Sequence, residues 1–394
     1  MMRKFVNVLK VGLPGFLIVA VCAAAATRLP FKNQDIRSQL DARPLTQYHN
    51  PTSQTFFDGT WMTEVGNYVD DRISGRIKLL EIHAFVTRRV LREQEVSGIW
   101  EDPNTEMLFT RPSTLPIPDE MDSSLARLKA ATEVTSTPLI FAYVPRKEEA
   151  FQDALPKYWV NRYALGKAKI IEKYGQYGTV LDLAPAVSQI DTRDSMWFLT
   201  DHHWKPAGAI TAAGELRAQL LKMGITAPHA VPELDITKKY PEFIGSIGRR
   251  LTRTGFTRAD QFVIPWTSQS TEKRCTDQPI ETKVCSLSAF EEKIGKSKDK
   301  YANRYATFHG GDNGIDDVRG NGQGTYIILK DSFGDSAVPY FALGAKRVIA
   351  IDERHYVGKP ISEIIKQIKP DAVIVMHNQV SLFGLTPEQF AVWQ

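Results

Sequence analysis

Cysteine is scarce in this chain of 394 residues, which contains three. Cys22 lies in an apolar segment near the N-terminus, so Cys275 and Cys285 are the only pair in the remainder of the chain. With no further cysteine to complete a ligand set, a zinc site at this pair is disfavoured. In an oxidising compartment the two would form a small disulfide loop, and two unpaired thiols are the alternative.

A large excess of one charge is also missing. The chain has 49 Lys and Arg against 45 Asp and Glu, and its formal net charge is +4. Basic runs are short, such as GRR at 248–250 and KSKDK at 296–300, which argues against nucleic acid as a partner. The sequence has no internal repeat and no low-complexity tract. With 43% hydrophobic and 24% charged residues, its composition is that of an ordinary globular protein.

An export signal is the first feature that is present. Basic residues within the first ten positions precede an apolar stretch, 11–26, that ends in small residues. The small residues suit cleavage, whereas a retained stretch would act as a signal anchor that leaves the rest of the chain outside the cytoplasm. It is shorter than the roughly 20 residues of a comfortable membrane span. We therefore expect residues 1–30 to be a signal anchor or signal peptide, followed by a linker over 31–55.

Short apolar runs alternate with helical patterns over most of the remaining chain. A helical pattern covers 56–92, and further helices are predicted over 150–174 and 205–224. Buried strands are predicted at 138–145, 179–183, 325–332, 345–352 and 370–378. This order predicts an α/β domain over 56–394, with a doubly wound parallel sheet and a site at the carboxyl ends of its strands. Residues 225–324 are polar and irregular, and we expect them to form a long insertion in that domain.

Ser332 follows one of these predicted strands, in the sequence KDSFGDS. If the chain turns into a helix there, the hydroxyl lies at a strand-to-helix turn beside free backbone N–H groups. An acyl-transfer nucleophile needs that placement, because the developing oxyanion must be met by donors already aimed at it. A serine that only caps the helix is the alternative. Ser246 is a rival nucleophile, but it lies in the irregular segment with no strand before it.

The sequence TDHHW at 200–204 favours the nucleophile over the cap. In an extended segment residues two apart share a face, so Asp201 and His203 would point the same way while His202 points the other way. A serine nucleophile needs an imidazole to take its proton and a carboxylate to orient that imidazole. The same geometry places the two histidines badly for one metal ion, so we expect neither metal nor cofactor. A solvated strand end is the remaining alternative.

Several motifs together resemble the DHHW protein family. They are TDHHW, ILKDSFGDSAVPYF, AYVPRKEEAF, FIGSIGR and YATFHGGDN, in ordered blocks between about Phe56 and Asn378. That family is similar to the alginate O-acetylation proteins of the periplasm, whose domains resemble SGNH hydrolases. The resemblance implies a three-layer αβα, flavodoxin-like domain of the SGNH-hydrolase type.

The resemblance also implies roles for individual residues. Ser332 would be the nucleophile, His203 the general base and acid, and Asp201 the residue that orients the imidazole. An SGNH-like site further needs oxyanion donors from an asparagine and a glycine, which Asn378 and Gly311 would supply here. For each of these two residues, a turn without a catalytic role is the alternative.

The activity implied by the resemblance is O-acetylation outside the cytoplasm. The acetyl group would pass through an acyl-serine to a hydroxyl of a cell-envelope or secreted polysaccharide. Because acetyl-CoA is absent outside the cytoplasm, the implied donor is a membrane-bound acyltransferase, and the N-terminal segment would attach the chain to the membrane. A carbohydrate esterase or deacetylase with the same triad is one alternative. A non-catalytic polysaccharide-binding protein is another, but the intact set of three residues argues against it.

Overall fold

The structure, a computed structural model, describes residues 37–38, 40, 43–73, 75–112, 116–160, 162–270, 273–276, 290–308, 310–311 and 313–393. The predicted export segment lies outside these residues, and none of the helices they form is long and apolar enough to cross a membrane. The chain divides into two units. One contains the residues up to Glu93 together with Arg250–Gly255, and the other contains Gln94–Arg249 and the chain from Phe256 onward. The boundary at Glu93 lies inside the stretch that the sequence predicts as one domain.

The first unit is mainly helical, as the pattern over 56–92 predicts. Its elements are β1 (Arg37–Ser38), β2 (Arg43–Pro44), α1 (Ser53–Phe57), α2 (Thr60–Arg72), α3 (Arg76–Phe85), a π-helix (Val86–Val90) and a 3₁₀-helix (Arg253–Gly255). Thr52 begins α1, since its hydroxyl accepts a hydrogen bond from the Thr55 N–H at 3.1 Å. Gly59 and Gly75 precede α2 and α3 with φ of 82° and 76°. Glycine adopts this left-handed conformation without strain.

The second unit alternates strands and helices. In chain order its elements are β3 (Glu95–Val96), β4 (Ile99–Glu101), β5 (Leu108–Thr110), α4 (Glu120–Val134), β6 (Leu139–Val144), α5 (Lys147–Ala150), α6 (Tyr163–Gly175), β7 (Thr179–Asp182), α7 (Ala184–Val187), α8 (Arg193–Met196), α9 (Pro206–Lys222), β8 (Ile236–Phe243), α10 (Ser246–Leu251), β9 (Asp260–Trp266), β10 (Lys273–Thr276), α11 (Glu292–Gly295), β11 (Ile315–Arg319), β12 (Thr325–Lys330), α12 (Ser332–Ala342), β13 (Arg347–Ile351), α13 (Ile361–Ile368), β14 (Ala372–Asn378), α14 (Gln379–Phe383) and α15 (Pro387–Ala391). Short 3₁₀-helices lie at Gln152–Ala154 and Arg304–Thr307. The five apolar runs predicted as strands are β6, β7, β12, β13 and β14.

A seven-stranded sheet forms the centre of this unit, with the strand order β10-β11-β13-β12-β14-β6-β7. The last five strands in this order are parallel, whereas β10 and β11 are antiparallel. The predicted α/β sheet is therefore confirmed, but it is mixed rather than entirely parallel. Both antiparallel strands come from 225–324, the segment predicted as irregular, which also contains the hairpin of β8 and β9. β11 lacks a continuous apolar run because it contains charged residues, one of which, Asp317, forms an ion pair with Arg347 at 2.6 Å.

Helices cover both faces of the sheet. Successive residues of a strand point to opposite faces. In β6, Ile140 and Ala142 belong to one apolar cluster, while Phe141 and Tyr143 belong to the other. The first cluster includes the apolar residues of α9 and α12, and the second includes those of α4, α6 and α13. The result is a three-layer αβα arrangement in which the carboxyl ends of β12, β14 and β6 lie at one edge of the sheet.

Candidate active site

Ser332 is the first residue of α12 and lies directly beyond β12, at the carboxyl edge of the sheet. Asp331 caps the helix, since its Oδ1 accepts a hydrogen bond from the Phe333 N–H at 2.9 Å. The Ser332 hydroxyl therefore stands at a strand-to-helix turn. Among the residues that the structure describes, none accepts a hydrogen bond from the Ser332 N–H. This N–H lies at the positive end of the helix dipole, where it can meet a developing negative charge.

Asp201, His203 and Ser332 form one chain of hydrogen bonds. The His203 Nε2 lies 2.8 Å from the Ser332 Oγ, and the His203 Nδ1 lies 2.6 Å from the Asp201 Oδ1. The structure thus brings together a serine and a histidine that are 129 positions apart in the sequence. In this arrangement the imidazole can take the proton of the hydroxyl, while the carboxylate fixes the imidazole tautomer.

The Asp201 carboxylate is almost entirely buried, with 1% of the residue exposed. Burial alone would raise its pKa, but the adjacent imidazoles of His203 and His202 and a hydrogen bond from Ser246 hold the pKa well below its usual range. The Ser246 N–H donates to Oδ2 at 2.6 Å, and the His203 N–H donates to Oδ1 at 3.0 Å. Gly245 packs against Asp201 so closely that a Cβ there would lie 2.6 Å from the Asp201 nitrogen. The carboxylate is therefore ionised and fixed in orientation.

Aromatic packing holds the His203 imidazole in place. The Tyr305 ring stacks on it, with ring centroids 3.9 Å apart and planes 5° from parallel. The Tyr305 hydroxyl lies 2.8 Å from the Ser336 Oγ, and the Trp204 Nε1 donates to the same oxygen at 2.8 Å. The tryptophan of TDHHW and the tyrosine of YATFHGGDN are thus linked through one serine of α12, the helix that supplies the nucleophile candidate.

A buried lysine shapes the loop that carries Asp201. The Lys147 Nζ donates to the backbone oxygens of Phe198, Leu199 and Asp201 at 2.9, 3.1 and 2.8 Å. Lys147 has no exposed surface, and burial lowers its pKa to about 8. The Asp260 Oδ1 accepts a hydrogen bond from the Leu199 N–H of the same loop at 2.7 Å. Two charged side chains from outside the motif therefore fix the path of its backbone.

His202 lies beside His203 rather than pointing away from it, so this prediction is wrong. The two ring centroids are 3.8 Å apart. Residues 200–203 form bends instead of a strand, so the alternation of faces that belongs to extended backbone does not apply. The His202 Nδ1 lies 2.6 Å from the Ser246 Oγ. Burial and the neighbouring His203 hold the pKa of His202 well below its usual range, which keeps the imidazole neutral.

Asp201, His202 and His203 have ligand atoms that lie within 4.8 Å of one another, and a carboxylate with two imidazoles has the donor types of a metal site. Three of the four imidazole nitrogens already make hydrogen bonds, with Ser246, Asp201 and Ser332. A metal ion that used those nitrogens would displace the bonds. The geometry therefore fits the hydrogen-bonded arrangement better than a metal centre.

Both residues predicted as oxyanion donors use their N–H groups elsewhere. Asn378 caps α14, and its Nδ2 donates to the Asp331 Oδ2 at 2.5 Å and to a serine hydroxyl of α14 at 2.8 Å. The Gly311 N–H donates to the backbone oxygen of Phe308 at 3.2 Å. Both predictions therefore need correction, because these donors are committed to a cap and a turn. The structure offers the Ser332 N–H in their place.

Cys275 lies in β10, is buried and is disulfide-bonded. This excludes a free thiol at Cys275. Cys285, its predicted partner, lies outside the described residues, so the pairing stays a prediction.

Tyr305 and Lys147 are among the residues of this site that sequence reasoning missed. Tyr305 comes from the segment predicted as irregular, and Lys147 follows the end of β6. No spacing pattern in the sequence identifies either residue, because Tyr305 packs on an imidazole ring and Lys147 donates to backbone oxygens. The signal that points to them is their place in YATFHGGDN and AYVPRKEEAF, two of the motifs that carry the family resemblance.

Comparison with known proteins supports the same fold. Residues 105–273 match the family model described as SGNH hydrolase-like domain, acetyltransferase AlgX. A DHHW family protein from Eubacterium siraeum is 20% identical, with a TM-score of 0.56 over 75% of this chain and 96% of its own. PatB1 from Bacillus cereus is 18% identical, with a TM-score of 0.57 over 74% of this chain and 98% of its own. The structure of PatB1 with a sulfonyl adduct has 17% sequence identity to this chain and a TM-score of 0.56, and the match covers 74% of this chain and 96% of its own. No curated protein sequence matches this chain. The matches confirm the resemblance and the SGNH-hydrolase-like fold.

Proposed function

We propose that this chain is an exported, serine-dependent O-acetyltransferase that passes an acetyl group to a hydroxyl of a cell-envelope or secreted polysaccharide. The observation that carries the proposal is the hydrogen-bonded chain of Asp201, His203 and Ser332 at the carboxyl edge of the sheet. The match of 105–273 to an acetyltransferase domain supports acetyl as the transferred group. That segment contains Asp201 and His203 and ends before Ser332.

The first half of the reaction forms an acetyl-serine. The Ser332 Oγ attacks the carbonyl carbon of the acetyl donor, while the His203 Nε2 takes the hydroxyl proton. The carbonyl oxygen becomes an oxyanion, which the Ser332 N–H and the positive end of α12 stabilise. When the bond from this carbon to the leaving group breaks, His203 returns the proton to the leaving group. Asp201 stays ionised throughout and stabilises the imidazolium that forms.

The second half repeats these steps with the acceptor. A sugar hydroxyl gives its proton to His203 and attacks the carbonyl carbon of the acetyl-serine. The Ser332 oxygen leaves and recovers the proton from His203, so the free enzyme and an acetylated sugar result. Water in place of the sugar would make the same site an esterase.

The proposal also specifies the compartment in which the reaction occurs and the donor of the acetyl group. The basic residues and the apolar stretch at 11–26 support export of the domain beyond the cytoplasm. Because acetyl-CoA is absent there, a membrane-bound acyltransferase would deliver the acetyl group to Ser332. The polysaccharide would then be the acceptor.

The test is to incubate the full-length protein with p-nitrophenyl acetate, measure its intact mass, and locate the adduct by peptide mapping. We expect an acetyl group on Ser332 and not on Ser246. The variants Ser332→Ala and His203→Ala should lose the adduct, while Ser123→Ala, which changes an exposed serine of α4, should keep it. A sulfonyl fluoride should block Ser332, because sulfonyl reagents modify activated nucleophiles.

Equal acetylation of the wild type and Ser332→Ala would show that the triad assignment is wrong, and a polysaccharide-binding protein would then become the better explanation. If the adduct depends on Ser332, added oligosaccharides of cell-wall or exopolysaccharide origin decide the rest. Acetylated sugar identifies a transferase, whereas free acetate alone identifies an esterase.

A further inference from the structure

His202 is placed at the site but has no part in the mechanism above. Its Nδ1 is held by the Ser246 Oγ at 2.6 Å, while its Nε2 has no hydrogen-bond partner among the described residues. The side chain is 27% exposed, compared with 8% for His203 and 2% for Asp201. A ring nitrogen without a protein partner on a partly exposed side chain is free to bond a ligand that enters the site. His202 has a single nitrogen anchored, and the other is left for a ligand beside the triad.

We propose that His202 binds a second hydroxyl of the acceptor, on the carbon next to the hydroxyl that is acetylated, so that the enzyme selects acceptors with vicinal diols. This inference rests on the proposed function. The imidazoles of His202 and His203 lie side by side with centroids 3.8 Å apart. Two imidazoles that are neighbours in this way can each bond one of two hydroxyls on adjacent carbons.

The charge state of His202 suits a hydroxyl better than an anion. Burial and the neighbouring His203 keep the imidazole neutral, so it adds no positive charge beside the imidazolium that His203 becomes during transfer. A neutral imidazole has one donor and one acceptor nitrogen. Whichever of these Ser246 uses, the other can bond a sugar hydroxyl, because a hydroxyl both donates and accepts.

The anchor of His202 is tied to the triad itself. The N–H of Ser246 holds the Asp201 Oδ2 at 2.6 Å, and its hydroxyl holds the His202 ring. One residue therefore fixes both the carboxylate that orients the base and the ring that would receive the neighbouring hydroxyl. The positions of the His202 and His203 imidazoles are therefore coupled through Ser246.

The test uses the full-length protein and measures how its acetyl-enzyme, formed from p-nitrophenyl acetate, divides between two alcohols. Ethane-1,2-diol and propan-1-ol are compared at equal concentration, and so are cis-cyclohexane-1,2-diol and cyclohexanol. The measured quantity is the ratio of diol ester to mono-alcohol ester, corrected for the second hydroxyl. Because both alcohols react with the acetyl-enzyme of one variant, a substitution that changes only the rate of acetyl-enzyme formation does not change this ratio.

We expect wild type to favour the diols by roughly three- to tenfold, the effect of one added hydrogen bond. The preference should disappear in His202→Phe and return in part in His202→Gln, whose amide reaches toward the position of Nε2. Ser246→Ala, which frees the ring but keeps the N–H on Asp201, should weaken it. If His202→Phe does not fold, the ester ratios measured with His202→Gln and Ser246→Ala test the role of His202 instead.

A diol preference that survives these substitutions, or no preference in wild type, overturns the role of His202 and leaves the proposed function intact. Wild type that forms no acetyl-enzyme at all overturns both. The two failures are distinguished by the intact mass of the protein before any alcohol is added.

Discussion

Replacing Lys147 with methionine tests whether the loop that carries Asp201 depends on one buried cation. Methionine has a similar length and no donor, so the substitution removes the hydrogen bonds to Phe198, Leu199 and Asp201 while filling most of the space. Leu199 keeps another donor, since the Leu108 N–H reaches its oxygen at 2.8 Å. The variant therefore loses all three hydrogen bonds, but only the oxygens of Phe198 and Asp201 are left without a donor among the described residues.

The expected magnitude follows from two opposing contributions. Each charge-assisted hydrogen bond contributes about 1.5–3 kcal/mol, so three such bonds amount to roughly 5–9 kcal/mol. Burial lowers the pKa of Lys147 from 10.5 to about 8, which corresponds to about 3 kcal/mol of unfavourable charge burial that the methionine avoids. The variant Lys147→Met should therefore lower the free energy of unfolding by about 2–6 kcal/mol. It should also slow acetyl-enzyme formation, because the backbone at Asp201 loses its support.

The assay is urea denaturation followed by tryptophan fluorescence, since Trp197 and Trp204 lie at either end of the loop. The matched control is Lys205→Met, which changes a nearby lysine whose Nζ donates to a single backbone oxygen, that of Asp194, at 3.2 Å. We expect the control to change stability by less than about 1 kcal/mol. A Lys147→Met variant within the same range would refute the reasoning, because the charge burial would then cancel the hydrogen bonds completely.

Two further predictions concern the base and a buried carboxylate. Tyr305→Leu removes the ring that stacks on His203 and should lower kcat for p-nitrophenyl acetate by roughly two- to tenfold, with little change in KM. The control Tyr305→Phe keeps the ring and should have a kcat near that of wild type. An equal loss of kcat in both variants would assign the effect to the Tyr305 hydroxyl instead. Burial raises the pKa of Glu149 from 4.5 to about 7, so its contribution to stability is complete below pH 4.5 and is lost as the pH rises through about 7. Relative to Glu149→Gln, the wild type should therefore lose about 2.5 kcal/mol of unfolding free energy between pH 5 and 8. Parallel stability curves for the two proteins would contradict this.

The central parallel strands are predictable because burial on both faces makes them continuous apolar runs; all seven residues of β14 are buried, whereas those of the edge strand β7 are half-buried. The position of Ser332 follows from the same pattern, since it comes directly after such a run. β11 is not predictable in this way, because Asp317 within it forms an ion pair with Arg347 of β13, which only the fold brings near.

The direction of a side chain in a loop is harder still to predict. His202 departs from the expected alternation because residues 200–203 form bends, in a loop whose backbone bonds to Lys147 and Asp260, both distant in sequence. Asn378 has the residue type and the position of an oxyanion donor, but its amide turns toward Asp331 and the start of α14. Sequence gives the residue at a strand end, whereas the local hydrogen-bond network decides where its side chain points.

The position of β12 in the sheet has a consequence for biosynthesis. This strand, which leads into Ser332, lies between β13 and β14, and both neighbours come later in the chain. A polypeptide emerging N-terminus first contains the complete TDHHW motif long before the strand that leads into Ser332 has its two neighbours. Domains of this size fold as units once their last elements are available. A chain that is still being synthesised therefore has no positioned Ser332, and a truncation that removes β14 should leave a chain with Asp201 and His203 but without the hydrogen bond from His203 to Ser332.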